Sequence, residues 1–370
     1  MKNKYLTIGL LLDDTLDSAD GVQQAVTSIG EKLRSKGHDV HYIVSTTTRN
    51  DLKNIHSIGR HLSLPFNGNS VRTPLPVSSR EIKKLFSKVN FDILHVQMPY
   101  SPFFTAKVLK LAPKKVKKIG TFHILPYNFA ANYGTKILGR VMKKSIQSLD
   151  HHFAVSQPAL EFMNASFSVN GTVLPNPVDY PFYSSFNKQP TKKKQMVFVG
   201  RFEERKGVRQ LLNAYALVNE KIRIKCEFKM IGKGPLFNEI KKKSKEEELD
   251  ITFPGFVTEK EKAQSLANAD VAVFPSISGE SFGIVLTEAM AAGARITIGG
   301  NNPGYSSVLG AWPESLFDPK DEKSFAALLT KMLQENEFVS SIGTSQHEIV
   351  KQYDLNVITD KLCAVYTGSQ

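Results

Sequence analysis

Short runs of β-branched and aliphatic residues alternate along this chain with longer stretches whose apolar positions recur at helical spacing. Leu6 to Leu12 reads as a first strand, and Val22 to Lys36 as an amphipathic helix ending at Gly37. His38 to Ser45, Phe91 to Val96, Lys118 to His123, His152 to Val155 and Gly171 to Pro175 predict further strands. After Asn176-Pro177-Val178-Asp179 the segment from Ser184 to Lys194 is rich in Ser, Lys and Pro, the composition of a linker. The alternation then restarts, with strands over 195–200, 226–231, 251–253, 271–275 and 294–298. Helices are expected over 207–220, 236–248, 259–269 and the segment around Glu288. Such alternation argues for an α/β protein with parallel sheets and helices on both faces. It predicts one domain over 1–180 and a second over 181–353, with the last helix, about 354–370, packing back on the first. Doubly wound sheets bind ligands at the carboxyl ends of their strands, so a cleft between the two domains is the expected site.

Composition agrees with a two-domain globular chain: 370 residues, 41% apolar and 22% charged, with a mean hydropathy of −0.22. No run approaches the ~18 apolar residues of a membrane-spanning helix. The basic start and the apolar run from Tyr5 to Leu12 resemble a signal peptide only superficially. That run ends in Asp13-Asp14 with no small-residue cleavage site, which favours a buried strand. Cys226 and Cys363 are the only cysteines, implying neither a disulfide framework nor a metal site and suiting a reducing cytoplasm. Charge is unevenly spread: residues 1–180 hold 23 Lys+Arg against 12 Asp+Glu, and residues 181–370 hold 25 against 23. The first half therefore expects an acidic partner. Nucleic acid is a poor match, because aromatics interleaved with Lys/Arg on a known module are missing.

The stretch from Gly279 to Gly293 places Glu280 and Glu288 eight residues apart, the first in a Gly/Ser loop and the second on the following helix. A strand, a small-residue loop and a helix start form an anion site, because the first-turn N–H groups lack intrahelical partners. Acids beside it suit the hydroxyls of a phosphate-bearing ligand, a description that fits a nucleotide sugar. The alternative is a helix-start acid that complements the macrodipole. Arg201 and Lys206 bracket another strand-to-helix turn, where two fixed cations beside a helix start would favour negative charge. The alternative there is a solvated surface pair, which is the reading kept for Glu204 and Arg205.

Four segments then match one family in order and separation. They are Val199-Gly200-Arg201-Phe202-Glu203-Glu204-Arg205-Lys206-Gly207, Ile231-Gly232-Lys233-Gly234-Pro235, Gly255-Phe256-Val257 and the two-glutamate stretch. This half resembles the C-terminal domain of retaining glycosyltransferases of family four. Asp20-Gly21-Val22-Gln23, Pro65-Phe66-Asn67-Gly68, Gly120-Thr121-Phe122-His123 and Pro175-Asn176-Pro177-Val178-Asp179 extend the likeness over nearly the whole chain, nearest to the bacterial phosphatidylinositol mannosyltransferases. The resemblance implies the GT-B fold, two doubly wound Rossmann-like domains facing across a cleft, and a nucleoside-diphosphate sugar as donor. It places Arg201 and Lys206 on the diphosphate, Glu280 on the sugar and Glu288 on the ribose. Ser281, Phe282, Gly283 and Ile284 border the phosphate or sugar, with Gly232, Gly234 and Val257 toward the base. Gly21 lets backbone approach the diphosphate, although Asp20 stands where the family usually has a first glycine. His123 is implied to position the sugar and steady the charge of the transition state, while His95 reads as a core histidine. No tightly bound cofactor and no essential metal are implied, and a divalent cation enters only as a stimulant.

Acceptor residues implied by the same likeness are Asn67, Ser70, Arg72 and His123, with Arg72 the candidate for an acceptor phosphate. The loop Asp13 to Asp20 is acidic where the inositol-lipid enzymes carry an aromatic and a Pro-Gly pair, which favours a hydroxyl-rich acceptor. From Ser78 to Val89, Ser78 and Glu81 predict a capping box, and Ile82, Leu85, Phe86 and Val89 share one face. Arg80, Lys83, Lys84 and Lys88 occupy the remainder, a pattern that suits an anionic bilayer or an ordinary surface helix packed inward. Lys107 to Lys118, Lys136, Arg140, Lys143 and Lys144 add to this basic patch. The expected protein is thus a cytoplasmic enzyme, peripheral on the inner face of the cell membrane, moving mannose from GDP-mannose to a phosphoinositol or other anionic lipid. A soluble sugar or sugar-phosphate acceptor with a UDP- or GDP-sugar is the alternative, and a non-catalytic nucleotide-sugar-binding protein the third reading. Oligomeric state is not legible in the sequence.

Overall fold

The structure, a computed structural model, describes residues 5–17, 20–59, 61–66, 69–98, 102, 104–125 and 140–368, with side chains described outside 61–66 and 69–74. It forms two compact units, Met1–Pro177 with Leu355–Gln370, and Val178–Asp354.

In the first unit the strands are β1 (Thr7–Leu12), β2 (Asp39–Val44), β3 (Ile55–Ser57), β4 (His61–Phe66), β5 (Asn69–Pro74), β6 (Ile93–Gln97), β7 (Lys117–Phe122), β8 (His151–Ala154) and β9 (Thr172–Val173). Seven of them make one sheet in the order β3-β2-β1-β6-β7-β8-β9, and every neighbouring pair is parallel. β4 and β5 form a separate antiparallel hairpin. A parallel sheet covered on both faces needs strands that are apolar at consecutive positions, as Leu10-Leu11-Leu12 provides. Ile8, Leu10 and Leu12 pack with Val26, Ile29 and Leu33 of the Gly21–Ser35 helix and with Ile358 and Leu362 of the Leu355–Thr367 helix. On the opposite face Leu11, Leu94 and Val96 meet Ile82 and Leu85 of the Ser79–Lys88 helix and Val108 of the Thr105–Leu111 helix.

That packing settles where the apolar stripe of the Ser79–Lys88 helix goes. Ile82 and Leu85 are buried, and Phe86 and Val89 lean on the same core. Each buried side chain of this size is worth about 1.5–3 kcal/mol, so the stripe is committed to folding and is not offered to a bilayer. Arg80, Lys83, Lys84 and Lys88 all face solvent. The expected capping box is also corrected. Ser78 Oγ accepts from the Arg80 N–H at 3.2 Å, and the reciprocal bond from Glu81 is not made. The complete box is at Thr258 and Glu261, where side chain and backbone bond in both directions.

The second unit has β10 (Lys194–Val199), β11 (Cys226–Ile231), β12 (Ile251–Gly255), β13 (Val271–Phe274), β14 (Thr297–Gly300) and β15 (Leu316–Phe317). They are parallel throughout, in the order β12-β11-β10-β13-β14-β15. The Ser/Lys/Pro-rich segment is no free tether: Lys188 Nζ pairs with Asp270 at 2.7 Å and the Gln189 N–H donates to Asn268 at 2.9 Å. Strand order reverses between β1 and β6 in one unit and between β10 and β13 in the other. Loops leaving the carboxyl ends of strands at such a switch point are where open α/β sheets bind ligands.

Candidate functional site

The β10 and β13 loops carry the charged residues that the sequence singled out. After β10 the chain runs through Arg201 to a single 3₁₀ turn, Glu204–Lys206, and then to Gly207 at φ +68°. A Cβ on Gly207 would lie 2.0 Å from the Pro275 carbonyl oxygen, so only glycine lets the two loops touch here. This approach brings Lys206 Nζ to 2.6 Å from Glu280 Oε1. Ser276 Oγ donates to the same oxygen at 2.7 Å. Burial alone would push the Glu280 carboxyl up. Lys206 and then Arg205 outweigh it, with hydrogen bonds from Lys206 and Ser276, and hold it below its ordinary value.

Arg205 departs from the solvated reading. Its Nη1 lies 3.2 Å from Glu280 Oε1 and its Nε 3.1 Å from Glu203 Oε2. Glu203 is buried, and its other oxygen lies 2.7 Å from Arg201 Nη2. The loop therefore carries an alternating chain, Arg201, Glu203, Arg205, Glu280 and Lys206. Glu204 keeps the surface reading, paired with Arg209.

Glu288 lies within the Ile284–Ala291 helix, buried, with Oε1 2.9 Å from Lys262 Nζ. Lys262 also bonds Glu259 at 2.8 Å, and Tyr183 Oη donates to Glu259 at 3.1 Å. Burial would push the Lys262 ammonium down, but Glu288 and Glu259 hold it above its ordinary value. Between the two glutamates, Ser281 is part-buried, Phe282 stacks edge-to-face on Tyr353 at 5.4 Å, Gly283 adopts φ +107°, and Ile284 begins the helix. Gly232, at φ +127°, and Gly234 abut the backbone of Gly200 and Phe202, where a Cβ would come within 2.0 and 2.6 Å of carbonyl oxygens. Val257 is part-buried just before the Thr258 cap, and its neighbour Phe256 is 76% exposed. The second unit thus gathers Arg201, Lys206 and Glu280 in one network and holds Glu288 in a second, on Lys262.

In the first unit Gly21 is the first residue of its helix, and Asp20, extended at the N-cap position, makes no side-chain capping bond. The acidic loop is already engaged: Asp14 accepts from Thr15 N–H and Gln23 Nε2, and Asp17 from Thr47 and the Thr48 N–H. His123 follows β7, its Nε2 2.7 Å from Gln97 Oε1 at the end of β6 and its buried Nδ1 without a hydrogen-bond partner among the described residues. Burial lowers His123 to about 4, so the ring is neutral at physiological pH. His95 is the satisfied core histidine, bonded to Tyr366 and Thr121 at 2.7 Å each. Asn67 lies outside the described residues. Ser70 and Arg72 lie on β5, in register with Pro65 and Ser63, and their side chains are outside the description. Lys136 is likewise outside it. Among the described residues no three His, Cys, Asp or Glu side chains are grouped to hold a metal ion.

Two doubly wound parallel sheets in one chain are the architecture of the GT-B fold. Residues 19–180 match the model for Glycosyltransferase Family 4, and residues 179–348 that for glycosyl transferases group 1. The chain belongs to this glycosyltransferase family. It is 26% identical to a phosphatidyl-myo-inositol mannosyltransferase of Mycolicibacterium smegmatis, over 98% of this chain and 93% of that one. It is 24% identical to a 2-deoxystreptamine N-acetyl-D-glucosaminyltransferase of Niallia circulans, over 94% of this chain and all of that one. Among solved structures, a Rickettsia africae glycosyltransferase superposes with a TM-score of 0.77 at 18% identity, covering 99% of this chain and 98% of that one. An Anabaena protein in complex with UDP and glucose gives 0.72 at 14% identity, over 98% and 100%.

Sequence reasoning missed Arg205, Glu203, Lys262 and Gln97. A signal existed for Lys262, which shares the helix face of Ala263, Leu266 and Ala267. A lysine on an otherwise apolar stripe is buried only if it is paired. No comparable pattern marks Gln97 or separates Arg205 from its neighbours.

Proposed function

We propose that this chain is a retaining hexosyltransferase that moves mannose from GDP-mannose to a phosphoinositol or other anionic lipid. The observation that carries the reading is the Arg201, Lys206 and Glu280 network on the two switch-point loops of the second unit. The name of the Mycolicibacterium relative supports the sugar and the acceptor. In the proposed reaction the bond from the anomeric carbon to the diphosphate oxygen breaks. Arg201, Lys206 and the amides near Gly283 meet the charge gathering on that leaving oxygen. The acceptor hydroxyl attacks from the same face, and its proton passes to the departing phosphate. Glu280 holds sugar hydroxyls, Glu288 the ribose, and neutral His123 positions the sugar without serving as a base. Arg72, with Asn67 and Ser70, is assigned to the acceptor phosphate and polyol.

No described helix is long and apolar enough to cross a membrane. The solvent-facing Arg80, Lys83, Lys84 and Lys88 are proposed to hold the enzyme peripherally on the inner face of the cell membrane by charge alone. A second reading keeps the transfer but uses a UDP-sugar and a soluble acceptor, as the name of the Niallia relative suggests. A grid of GDP-mannose, UDP-glucose and UDP-N-acetylglucosamine against phosphatidylinositol vesicles and soluble polyols, with and without Mg²⁺, separates the two. The expected outcome is nucleotide release and an α-mannosyl product only with GDP-mannose and the lipid. Turnover with UDP-sugars on polyols alone supports the second reading, and no turnover anywhere ends both.

A further inference from the structure

Both cations assigned to the diphosphate are already neutralised by carboxylates: Lys206 by Glu280 at 2.6 Å, and Arg201 by Glu203 at 2.7 Å. A nucleoside diphosphate must compete with those carboxylates. When it takes Lys206, Glu280 loses its closest cation while a second anion arrives nearby. A buried carboxylate left that way would take up a proton or swing away, and either change ends its use as a hydroxyl acceptor.

Arg205 is built to prevent this. Its guanidinium faces Glu280 through Nη1 and Glu203 through Nε, two edges of one rigid plane. Its backbone is fixed to the loop that carries Glu280: the Arg205 carbonyl accepts the Ile277 N–H at 2.8 Å and lies 3.1 Å from Ser276 Oγ. Glu203 is buried between Arg201 and Arg205, so it sets the position of both. Among the described residues the other groups facing Glu280 are the Ser276 hydroxyl and, from the Pro303–Leu309 helix, Tyr305. Neither carries a positive charge, so among the described residues Arg205 is the cation placed to stand in for Lys206.

We propose that Arg205, anchored by Glu203, is a positioning residue that keeps Glu280 charged and in place when a nucleoside diphosphate draws Lys206 away. The proposal rests on reading the second unit as a donor site.

The test follows the Glu280 carboxyl directly by NMR of ¹³C-labelled glutamate, its signal identified by its loss in Glu280→Gln. Wild type, Arg205→Gln and Arg205→Lys are titrated free and saturated with GDP or UDP, with binding measured by calorimetry. The wild-type midpoint is expected to stay below the ordinary glutamate value in both states. In Arg205→Gln it stays low in the free protein, where Lys206 remains, and rises by on the order of one pH unit when the nucleotide binds. Arg205→Lys, which keeps the charge but not the two-edged bridge, falls between. A residue that merely supported the fold would shift neither midpoint selectively on binding. A wild-type midpoint that rises with nucleotide as far as that of Arg205→Gln overturns the proposal, as does an Arg205→Gln midpoint indifferent to nucleotide. If wild type binds neither nucleotide in calorimetry, the donor reading itself fails and the exchange fails with it.

Discussion

The two units share one strand order yet place their polar groups in opposite ways. The first unit, which carries most of the net positive charge, shelters neutral imidazoles: His95 buried between Tyr366 and Thr121, His123 part-buried against Gln97. The second, near neutral overall, pairs charge inside: buried Glu203, Glu288 and Lys262 and part-buried Glu280, in paired networks. A buried charge is tolerable only beside its opposite. A buried neutral ring offers directed hydrogen bonds and repels no incoming group. The same topology therefore carries paired charges in one unit and neutral hydrogen-bonding rings in the other.

Acid should separate the units, and this is the largest effect expected. Burial lowers His95 to about 3 and His123 to about 4, and it also lowers His38, His56, His151 and His152, all in the first unit. Unfolded imidazoles bind protons near pH 6.5 while these folded ones do not. Between about pH 6.5 and 4 the unfolded state therefore holds more protons, and stability of the first unit falls as pH falls. Glu280 works in another window. Its lowered value gives stability that is present above the ordinary carboxyl range and is lost only as pH drops through the folded value. Hydrogen exchange read by mass spectrometry at pH 7.5 and 5.5 should show protection lost first in peptides of the first unit. Loss beginning in the second unit, or in both together, would contradict the comparison.

A smaller contrast lies inside the second unit, between two glutamates of different fate. Glu280→Gln removes a charged acceptor from the proposed sugar site and should lower kcat/KM for the donor on the order of 10²-fold, at about 1.4 kcal/mol per factor of ten. Glu204→Gln alters an exposed partner of Arg209 and should leave turnover within a factor of two or so. Equal losses in the two variants would mean that burial in this network does not mark function.

The parallel sheets, though not their strand order, were legible from the alternation of strands and helices: consecutive apolar residues such as Leu10-Leu11-Leu12 suit interior strands between two helical layers. Arg201, Lys206, Glu280 and Glu288 were legible because they sit beside the turns where a doubly wound sheet exposes strand ends and helix starts. Arg205 was not, since nothing local distinguishes it from Arg201; its role comes from a residue 75 positions away. Gln97 and His123 meet only through the pairing of β6 with β7, across 26 residues. The Ser78 cap was read one bond too generously because Ser-x-x-Glu spacing permits the reciprocal bond without requiring it.

A last contrast lies within the Ser79–Lys88 helix, where amphipathic pattern alone left packing and membrane contact equally open. Its two faces now make separable predictions. Neutralising Lys83, Lys84 and Lys88 together with Gln should weaken binding to anionic vesicles by roughly 10²-fold at low salt, at ~1 kcal/mol per cation. The loss should shrink as ionic strength rises, since a contact through charge alone is screened over a Debye length. Thermal stability should hardly move, because these side chains face solvent. Ile82→Ala should do the reverse, costing roughly 2–5 kcal/mol of stability through the cavity it leaves, with vesicle affinity of the folded fraction retained. If instead Ile82→Ala released the protein from vesicles without destabilising it, the apolar stripe would be reaching lipid after all. If the triple variant bound vesicles normally, the cationic face would be a solvated surface with no bilayer to meet, and the acceptor would have to be sought in solution.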